Sequence, residues 1–205
     1  MLWIGITGPM GGGKSTLTAL LRDEGFVALD ADEIVHRVLR QGGVAEREVL
    51  QTFGQNLRGA GGALDRRALG RLVFADPVKL ARLESILHPL VRAEVARARR
   101  ELEGRGETVA FYDVPLLFEK NMQADFDHIL VVTASESARR ARVKARLGLS
   151  DADFDERSSR QLPVEVKEKG ASVVVRNEGT RDDLRVEMNR ALRALGITSR
   201  GSSPR

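Results

Sequence analysis

The sequence predicts an α/β protein in which a doubly wound, five-stranded parallel sheet carries two helical insertions. Five short apolar segments, each bounded by turn residues, have the length and composition of buried strands. Segments with helical spacing separate them, as connections between parallel strands require. A glycine-rich turn at 8–13 joins the first apolar segment to the first helical one. This alternation of strands and helices is typical of a doubly wound sheet.

The five strands are expected at 2–7, 26–30, 108–114, 128–133 and 171–175. The first crossover helix begins at Lys14 and ends before Gly25, since glycine commonly follows the last turn of a helix. The last helix carries five apolar residues at helical spacing, which are Leu184, Met188, Ala191, Leu192 and Leu195. The elements at the two ends of the chain therefore belong to one α/β core.

The middle of the chain changes character, because residues 31–103 show only helical patterns. Asp76 and the proline after it predict the start of a helix, with the aspartate as cap and the proline in the first turn. His88-Pro89 predicts a break in the helical run, since the residue before a proline disfavours the helical conformation. A second helical stretch, rich in arginine, is expected at 135–169.

Composition excludes several classes of protein. Of the 205 residues, 42% are hydrophobic and 30% are charged, which is the range of globular proteins and excludes disorder over most of the length. There is no cysteine, so disulfides, cysteine–zinc sites and thiol chemistry are excluded. No apolar stretch approaches the roughly 20 residues of a membrane span, and residues 1–10 lack a secretory pattern, so a cytoplasmic protein is expected. A net charge of +4 is too small to indicate a nucleic-acid binder.

The most informative motif is the turn that begins at Gly8, Gly-Pro-Met-Gly-Gly-Gly-Lys-Ser, which matches the pattern G-x-x-x-x-G-K-[ST]. Its glycines let successive backbone N–H groups converge on one anion, and the helix that follows adds its positive end. The lysine ammonium can reach the β and γ phosphates of a nucleotide, the serine hydroxyl can ligate Mg²⁺, and the next threonine can reach the α phosphate. The residues predicted to bind these phosphates are Gly11, Gly12, Gly13, Lys14, Ser15 and Thr16.

Three aspartates lie at or just after the ends of predicted strands, at the sheet edge where ligands of α/β proteins bind. Asp113 ends the third strand and is predicted to orient Mg²⁺ through a water molecule, with a plain turn residue as the alternative. Asp30 and Asp32 follow the second strand. We prefer Asp32 as the base that accepts a proton from an acceptor hydroxyl. Helix N-capping is the alternative for both of these aspartates.

The segment 139–160 carries seven basic residues against four acidic ones. Arg139, Arg142 and Arg146 are spaced three and four apart, which puts them on one face of a helix. A cationic face between two core strands suggests a lid that closes over phosphates and excludes water. The alternative is an ordinary charged face in contact with solvent.

Histidine offers no metal site, because the three histidines lack the spacing of ligands. His88 stands directly before a proline at the predicted helix break. We interpret it as a cap or as a core residue with satisfied hydrogen bonds; the alternative is a contact to substrate.

Taken in order along the chain, these residues resemble those of dephospho-CoA kinases. The phosphate loop matches, as do Asp30-Ala-Asp32, the string His88-Pro-Leu-Val and the string Asp113-Val-Pro-Leu-Leu-Phe-Glu119. The single positions that match are Arg142, Arg146, Arg157, Gln161, Lys167 and Asn177. The resemblance covers about residues 2–195, and the two strings are much more specific than the phosphate loop, which many ATPases and kinases share.

The resemblance implies a P-loop fold like that of nucleotide kinases. It implies that the γ phosphate of ATP moves, with Mg²⁺, to the ribose 3′-hydroxyl of 3′-dephospho-CoA in the last step of coenzyme A synthesis. The implied parts are a P-loop core at 1–30, 109–137 and 169–197, a helical acceptor-binding insertion at 31–108 and a lid at 138–168. The remaining tail, 198–205, is expected to be disordered. ATP and 3′-dephospho-CoA are the expected partners, without nucleic acid or membrane, of a monomer or weak homo-oligomer.

The resemblance also assigns roles to single residues. The catalytic residues are Lys14, Asp32, which would activate the 3′-hydroxyl, and Arg142, which would reach the phosphates from the lid. Asn177 corresponds to a position near the adenine of ATP. The acceptor-binding residues are Asp32, His88, Leu116 and Arg146. Magnesium would be held by Ser15, and by Asp113 through water.

Two positions depart from the family pattern. Arg139 stands where the family often has glutamine, which leaves the lid contacts open, and Ser172 stands where it often has aspartate, which is expected to affect only strand packing. The diphosphate of the acceptor requires a cationic site. The helical insertion offers four arginines for it, which are Arg92, Arg97, Arg99 and Arg100.

Three other functions compete with this interpretation. A P-loop kinase for a nucleoside monophosphate or a sugar shares the phosphate loop, but the string 113–119 argues against it. A guanine-nucleotide switch would usually carry Asn-Lys-x-Asp, and the chain has no such tetrapeptide. A nucleic-acid motor is disfavoured by the modest net charge, by a single Trp and a single Tyr for stacking, and by a length too short for two motor cores.

Overall fold

A five-stranded parallel sheet lies in the first of the two units into which the chain divides in this computed structural model. The structure describes residues 1–59 and 61–198, so the predicted disordered tail lies outside the described residues except for Thr198. The first unit is Met1–Asp30 with Glu107–Arg205, and the second is Ala31–Gly106. The strands are β1 (Leu2–Thr7), β2 (Val27–Asp30), β3 (Val109–Asp113), β4 (His128–Thr133) and β5 (Val173–Arg176).

The strand order is β2-β3-β1-β4-β5 with every pair parallel, which confirms the predicted doubly wound sheet. From β1 the chain goes first to β2 and β3 on one side and then to β4 and β5 on the other. The turn after β1 therefore lies at the point where the strand order reverses, and such switch points bind the ligands of open α/β sheets. The register places Asp113 of β3 between Ile6 of β1 and Asp30 of β2.

The helices are α1 (Lys14–Asp23), α2 (Ala31–Val38), α3 (Val44–Phe53), α4 (Arg66–Phe74), α5 (Pro77–Gly104), α6 (Glu136–Leu147), α7 (Asp151–Ser159), α8 (Val164–Lys169) and α9 (Arg181–Ala194). Short 3-10 turns occur at Gln55–Leu57 and Gln123–Asp125. Among residues 1–59 and 61–198, no helix is long and apolar enough to cross a membrane.

The core of the first unit forms between the sheet and the apolar faces of α1 and α9. The buried residues include Ile4, Ile6, Leu17, Leu20, Leu21, Phe111, Leu130, Val132, Leu184, Met188, Ala191 and Leu192. The four predicted apolar positions from Leu184 to Leu192 are thus buried, and Leu195 packs partly buried against them. This core fixes the ends of β1, β3 and β4, and with them the turns that follow.

The fifth strand begins and ends later than the predicted 171–175. The cause is Ser172, whose hydroxyl accepts the Ile129 N–H at 3.0 Å while its own N–H donates to the Ile129 carbonyl oxygen at 2.8 Å. The Ser172 hydroxyl therefore accepts the backbone N–H of Ile129 in place of a backbone carbonyl. Regular pairing between β4 and β5 starts one residue later, at Val173. At the other end, the Asn177 N–H donates to the carbonyl oxygen of Thr133 at 2.8 Å.

The predicted helical stretch 135–169 contains three helices, α6, α7 and α8. Gly148, with φ of 66°, ends α6 in the left-handed conformation. Ser150 and Asp153 then form a capping box that starts α7. Pro163 stands at the cap position of α8, where its fixed φ suits a helix start.

The second unit consists of α2 to α5 around a core of its own. This core includes Leu39, Val49, Leu50, Leu57, Leu64, Leu69, Val73 and Ile86. The predicted start of α5 is confirmed, because the Asp76 carboxylate accepts the N–H groups of Val78 at 3.0 Å and Lys79 at 3.3 Å.

The predicted helix break at His88-Pro89 is wrong, since α5 runs without interruption through both residues. A proline removes one backbone hydrogen bond, here the one to the Ser85 carbonyl. Ser85 and Pro89 lie on the exposed face, where water can take the place of the lost donor. The same helix buries Ile86 in the core of the unit, with Leu83, Leu87 and Leu90 packed against it, and this packing outweighs the local preference.

Candidate active site

The turn after β1 presents the donors that a phosphate site needs. Gly8 passes so close to β4 that a Cβ there would lie 2.1 Å from the carbonyl oxygen of Val132. Gly13 has φ of 106°, in the left-handed region that favours glycine, and directly precedes α1. The Lys14 Nζ donates to the Gly8 carbonyl oxygen at 3.2 Å, which folds the ammonium back over the turn. Backbone N–H groups, the positive end of α1 and the ammonium therefore meet in one loop.

Asn177, directly after β5, supports this loop from the side. It is 7% exposed, and its Nδ2 donates to the carbonyl oxygen of Gly12 at 3.0 Å. A Cβ on Gly13 would lie 2.0 Å from the same Nδ2, so the amide occupies the room that any other residue at position 13 would need. The contact of Asn177 with adenine stays a prediction.

Two arginines of α6 reach the phosphate loop and its support. Arg142 Nη2 donates to the Asn177 carbonyl oxygen at 2.8 Å, and Arg146 Nη1 donates to the Ser15 hydroxyl at 3.1 Å. Arg142 Nη1 is buried and makes no hydrogen bond within 1–59 and 61–198. The guanidinium of Arg142 therefore keeps one donor that the described part of the chain does not satisfy.

Arg139 does not share this arrangement, although its spacing predicts that it lies on the same helix face. It is 5% exposed, and its guanidinium lies 5.6 Å from the centre of the Phe154 ring of α7. Burial lowers the pKa of this guanidinium below its usual value. Its backbone carbonyl oxygen would lie 2.7 Å from a Cβ on Gly11, so α6 also packs against the loop through its main chain. The lid contacts that the sequence left open therefore include a cation–aromatic contact between α6 and α7.

Asp113 is buried at the end of β3, next to the strand that leads into the phosphate loop. Its Oδ2 accepts a hydrogen bond from the Thr18 hydroxyl at 3.3 Å. Sequence reasoning missed Thr18, although its position one turn after Lys14 on α1 was a usable signal. Asp113 is thus held in one orientation at the edge where ligands bind.

The residues predicted to hold magnesium fit that ion. The Ser15 hydroxyl and the Asp113 carboxylate are hard oxygen donors, and Mg²⁺ is typically held by one or two carboxylates together with phosphates and water. Within the described residues, no group of three or more histidine, aspartate or glutamate side chains could hold a metal ion.

Two predicted site residues belong to the second unit. Asp32 is exposed and is the second residue of α2, two residues after β2 ends, so it lies inside the first turn and the capping alternative for it is wrong. His88 is exposed in the middle of α5, so the cap and core interpretations are wrong and only the substrate contact stays as a prediction. In the first unit, Leu116 is 38% exposed in the segment after β3.

The four arginines of α5 differ in their surroundings. Arg97 pairs with Glu94 at 2.7 Å and also with Glu101, and Arg99 pairs with Glu103 at 3.4 Å. These two guanidiniums are therefore partly neutralised by their own helix. The other two, Arg92 and Arg100, are exposed.

A comparison with known protein families identifies the family of this chain. The family model for dephospho-CoA kinase matches residues 2–183 of this chain. The chain belongs to the dephospho-CoA kinase family. The dephospho-CoA kinase of Bdellovibrio bacteriovorus is 40% identical over 195 residues, which cover 95% of this chain and 96% of that protein.

Solved structures agree with this family. The crystal structure of TT1252 from Thermus thermophilus superposes with a TM-score of 0.80 at 41% identity and covers 95% of each chain. The dephospho-CoA kinase from Campylobacter jejuni gives a TM-score of 0.71 at 25% identity, over 97% of this chain and 98% of that one. The predicted resemblance and the P-loop kinase fold are thus confirmed. As a dephospho-CoA kinase family member, the chain is a nucleotide-binding transferase of coenzyme A biosynthesis.

Proposed function

We propose that this chain transfers the γ phosphate of ATP to the ribose 3′-hydroxyl of 3′-dephospho-CoA, giving coenzyme A and ADP. The observation that carries the proposal is that Lys14 and Arg146 contact the phosphate loop while Arg142 contacts Asn177, which supports it, in a chain of this family. Phosphoryl transfer needs little covalent chemistry from a protein and depends on positioning and on positive charge around the moving group. The phosphate loop, together with the basic side chains beside it, supplies both the positioning and the positive charge.

In this proposal the triphosphate binds to the loop 11–16. Backbone N–H groups and the N-terminus of α1 hold the β phosphate, and the Lys14 ammonium turns from the Gly8 carbonyl to the β and γ phosphates. Arg142 and Arg146 donate to oxygens of the γ phosphate, where negative charge redistributes during transfer. Asn177 keeps the loop in shape and lies near the adenine.

Magnesium is part of the proposal. Ser15 would hold it directly and Asp113 through water. When bound, Mg²⁺ neutralises charge on the β and γ phosphates. The Thr18 hydroxyl keeps the Asp113 carboxylate oriented for this role.

Asp32 acts as the base. The acceptor 3′-oxygen forms the new bond to the γ phosphorus as the bond to the β–γ bridging oxygen breaks, and ADP leaves. The proton of the 3′-hydroxyl passes to the Asp32 carboxylate. The acceptor is bound by His88, Leu116 and Arg146, and 138–168 acts as a lid that excludes water. We further propose a cytoplasmic monomer or weak homo-oligomer that binds neither nucleic acid nor membrane.

Mass analysis of acceptors tests the proposal. The protein is incubated with ATP, Mg²⁺ and one acceptor from a panel containing 3′-dephospho-CoA, a nucleoside monophosphate and a sugar. We expect a phosphorylated product only from 3′-dephospho-CoA, with its new phosphate on the 3′-oxygen. Phosphorylation of the monophosphate or the sugar instead would overturn the assignment, and slow hydrolysis that no acceptor stimulates would favour a nucleotide switch.

A further inference from the structure

The phosphate loop has a contact that its sequence motif does not describe. The backbone N–H of Met10, in the middle of the loop, donates to the side-chain Oε1 of Gln161 at 2.9 Å. Gln161 lies in the connection between α7 and α8, 151 residues further along the chain. Both residues belong to the first unit.

This hydrogen bond fixes the tip of the loop. The Gly12 N–H donates to the Pro9 carbonyl oxygen at 3.1 Å, which closes a tight turn around Met10. The Gly12 carbonyl oxygen is taken by Asn177 on the other side. The tip is therefore held by one side-chain acceptor and one side-chain donor, both from outside the motif. A loop whose amides are already oriented binds a phosphate with a smaller loss of conformational entropy than a mobile loop.

The turn that carries Gln161 is itself anchored. The N–H of Leu162 donates to Glu119 Oε1 at 2.9 Å, and the Lys167 Nζ lies 2.7 Å from the same oxygen. The Lys167 side chain is fully buried and that of Glu119 is 13% exposed. Since Glu119 follows β3, this buried ion pair ties the beginning of α8 to the sheet. The ion pair therefore helps to fix the position of the backbone at Gln161, whose side chain reaches Met10.

We propose that Gln161 is a positioning residue that keeps the phosphate loop in its nucleotide-binding conformation by accepting the Met10 N–H. The connection between α7 and α8 is thereby a structural part of the nucleotide site. Gln161 touches neither reacting group, so its effect passes through the loop. Because that effect is read from ATP binding, the inference rests on the proposed function.

Gln161→Met tests the inference, since methionine matches the length of glutamine but offers no oxygen. We expect KM for ATP to rise about three- to tenfold, as for one lost hydrogen bond, with kcat within about twofold of the parent value. Exchange of the Met10 amide hydrogen with solvent, followed by NMR, should become faster, because the donor is then free to reach water. Gln161→Glu keeps an acceptor at the same position and should restore the slow exchange of Met10.

Ser159→Ala is the matched control, because Ser159 ends α7 two positions before Gln161 and its exposed hydroxyl bonds only to the Glu156 carbonyl within the described residues. It should change neither readout. Gln161→Asn, whose side chain is one methylene too short to reach Met10, should behave like Gln161→Met and replaces it if that variant does not fold. If folded Gln161→Met or Gln161→Asn keeps the parent KM for ATP and the parent rate of Met10 amide exchange, the inference about Gln161 is overturned and the proposed function is not affected. A parent protein that does not bind ATP would overturn the proposed function instead.

Discussion

The side-chain amide of Asn177 donates to the carbonyl oxygen of Gly12 across 3.0 Å, which joins the residue after β5 to the middle of the phosphate loop. The two residues are 165 positions apart in the chain. The phosphate loop is thus supported by a residue that follows the edge strand β5.

Asn177→Asp should raise KM for ATP by about tenfold or more, because it removes one hydrogen-bond donor and adds a negative charge next to the triphosphate. Asn177→Ala removes the donor without adding charge, so its KM should lie between that of Asn177→Asp and the parent value. Steady-state kinetics with varied ATP measure both. Equal KM values in all three proteins would show that the amide does not support the loop.

Lys14→Ala should lower turnover by orders of magnitude while leaving thermal unfolding close to that of the parent, because the ammonium acts on phosphates and not on the core. Single-turnover transfer from ATP to 3′-dephospho-CoA measures the loss. Lys79→Ala is the control, since Lys79 pairs on the surface of α5 with Asp76. Near-normal turnover in Lys14→Ala would contradict the assignment of the phosphate loop.

Asp32→Asn should lower kcat by about two orders of magnitude or more, with little change in the dissociation constant of ATP, because it keeps the shape of the side chain and removes the proton acceptor. Glu33→Gln, at the neighbouring exposed carboxylate of α2, serves as control and should leave kcat unchanged. Loss of ATP binding with an unchanged rate would instead mark Asp32 as a structural or metal-holding residue.

Lys167→Met should destabilise the protein by about 3 kcal/mol, because it leaves the Glu119 carboxylate partly buried without its cation. Adding Glu119→Gln to this variant should recover part of the loss. Denaturant unfolding of the single and double variants measures the difference. Equal stability of Lys167→Met and the parent would mean that the ion pair contributes nothing.

Acid should weaken the same contact. Burial raises the pKa of Glu119, but hydrogen bonds from Lys167 and from the Leu162 N–H outweigh it, so the pKa lies below its ordinary value of 4.5. A carboxyl group with a lowered pKa in the folded state stabilises the protein fully above its unfolded value and loses that contribution as pH falls through the folded value. The stability advantage of the parent over Glu119→Gln should therefore be constant above about pH 4.5 and shrink below it. An advantage that did not change with pH would contradict this.

Much of the fold was predictable because its signals are local. Apolar runs separated by helical spacing predict parallel strands, and a glycine-rich turn between a strand and a helix predicts a phosphate loop. Where a local rule competed with packing, packing decided. The backbone preference at His88-Pro89 favours a break, yet the burial of Ile86 in the core of the second unit keeps α5 continuous.

The sequence by itself determined the sheet, the phosphate loop with Lys14 and Ser15, and the family, since each rests on residues close together in the chain. Only the tertiary structure decided which distant side chains hold that loop. The hydrogen bond between Gln161 and Met10 and the one between Asn177 and Gly12 each join residues more than 150 positions apart in the chain. Arg139 and Arg142 share a helix face but have different partners. Hydrogen bonds act over about 3 Å, so they depend on how the chain packs, which no pattern within one segment contains.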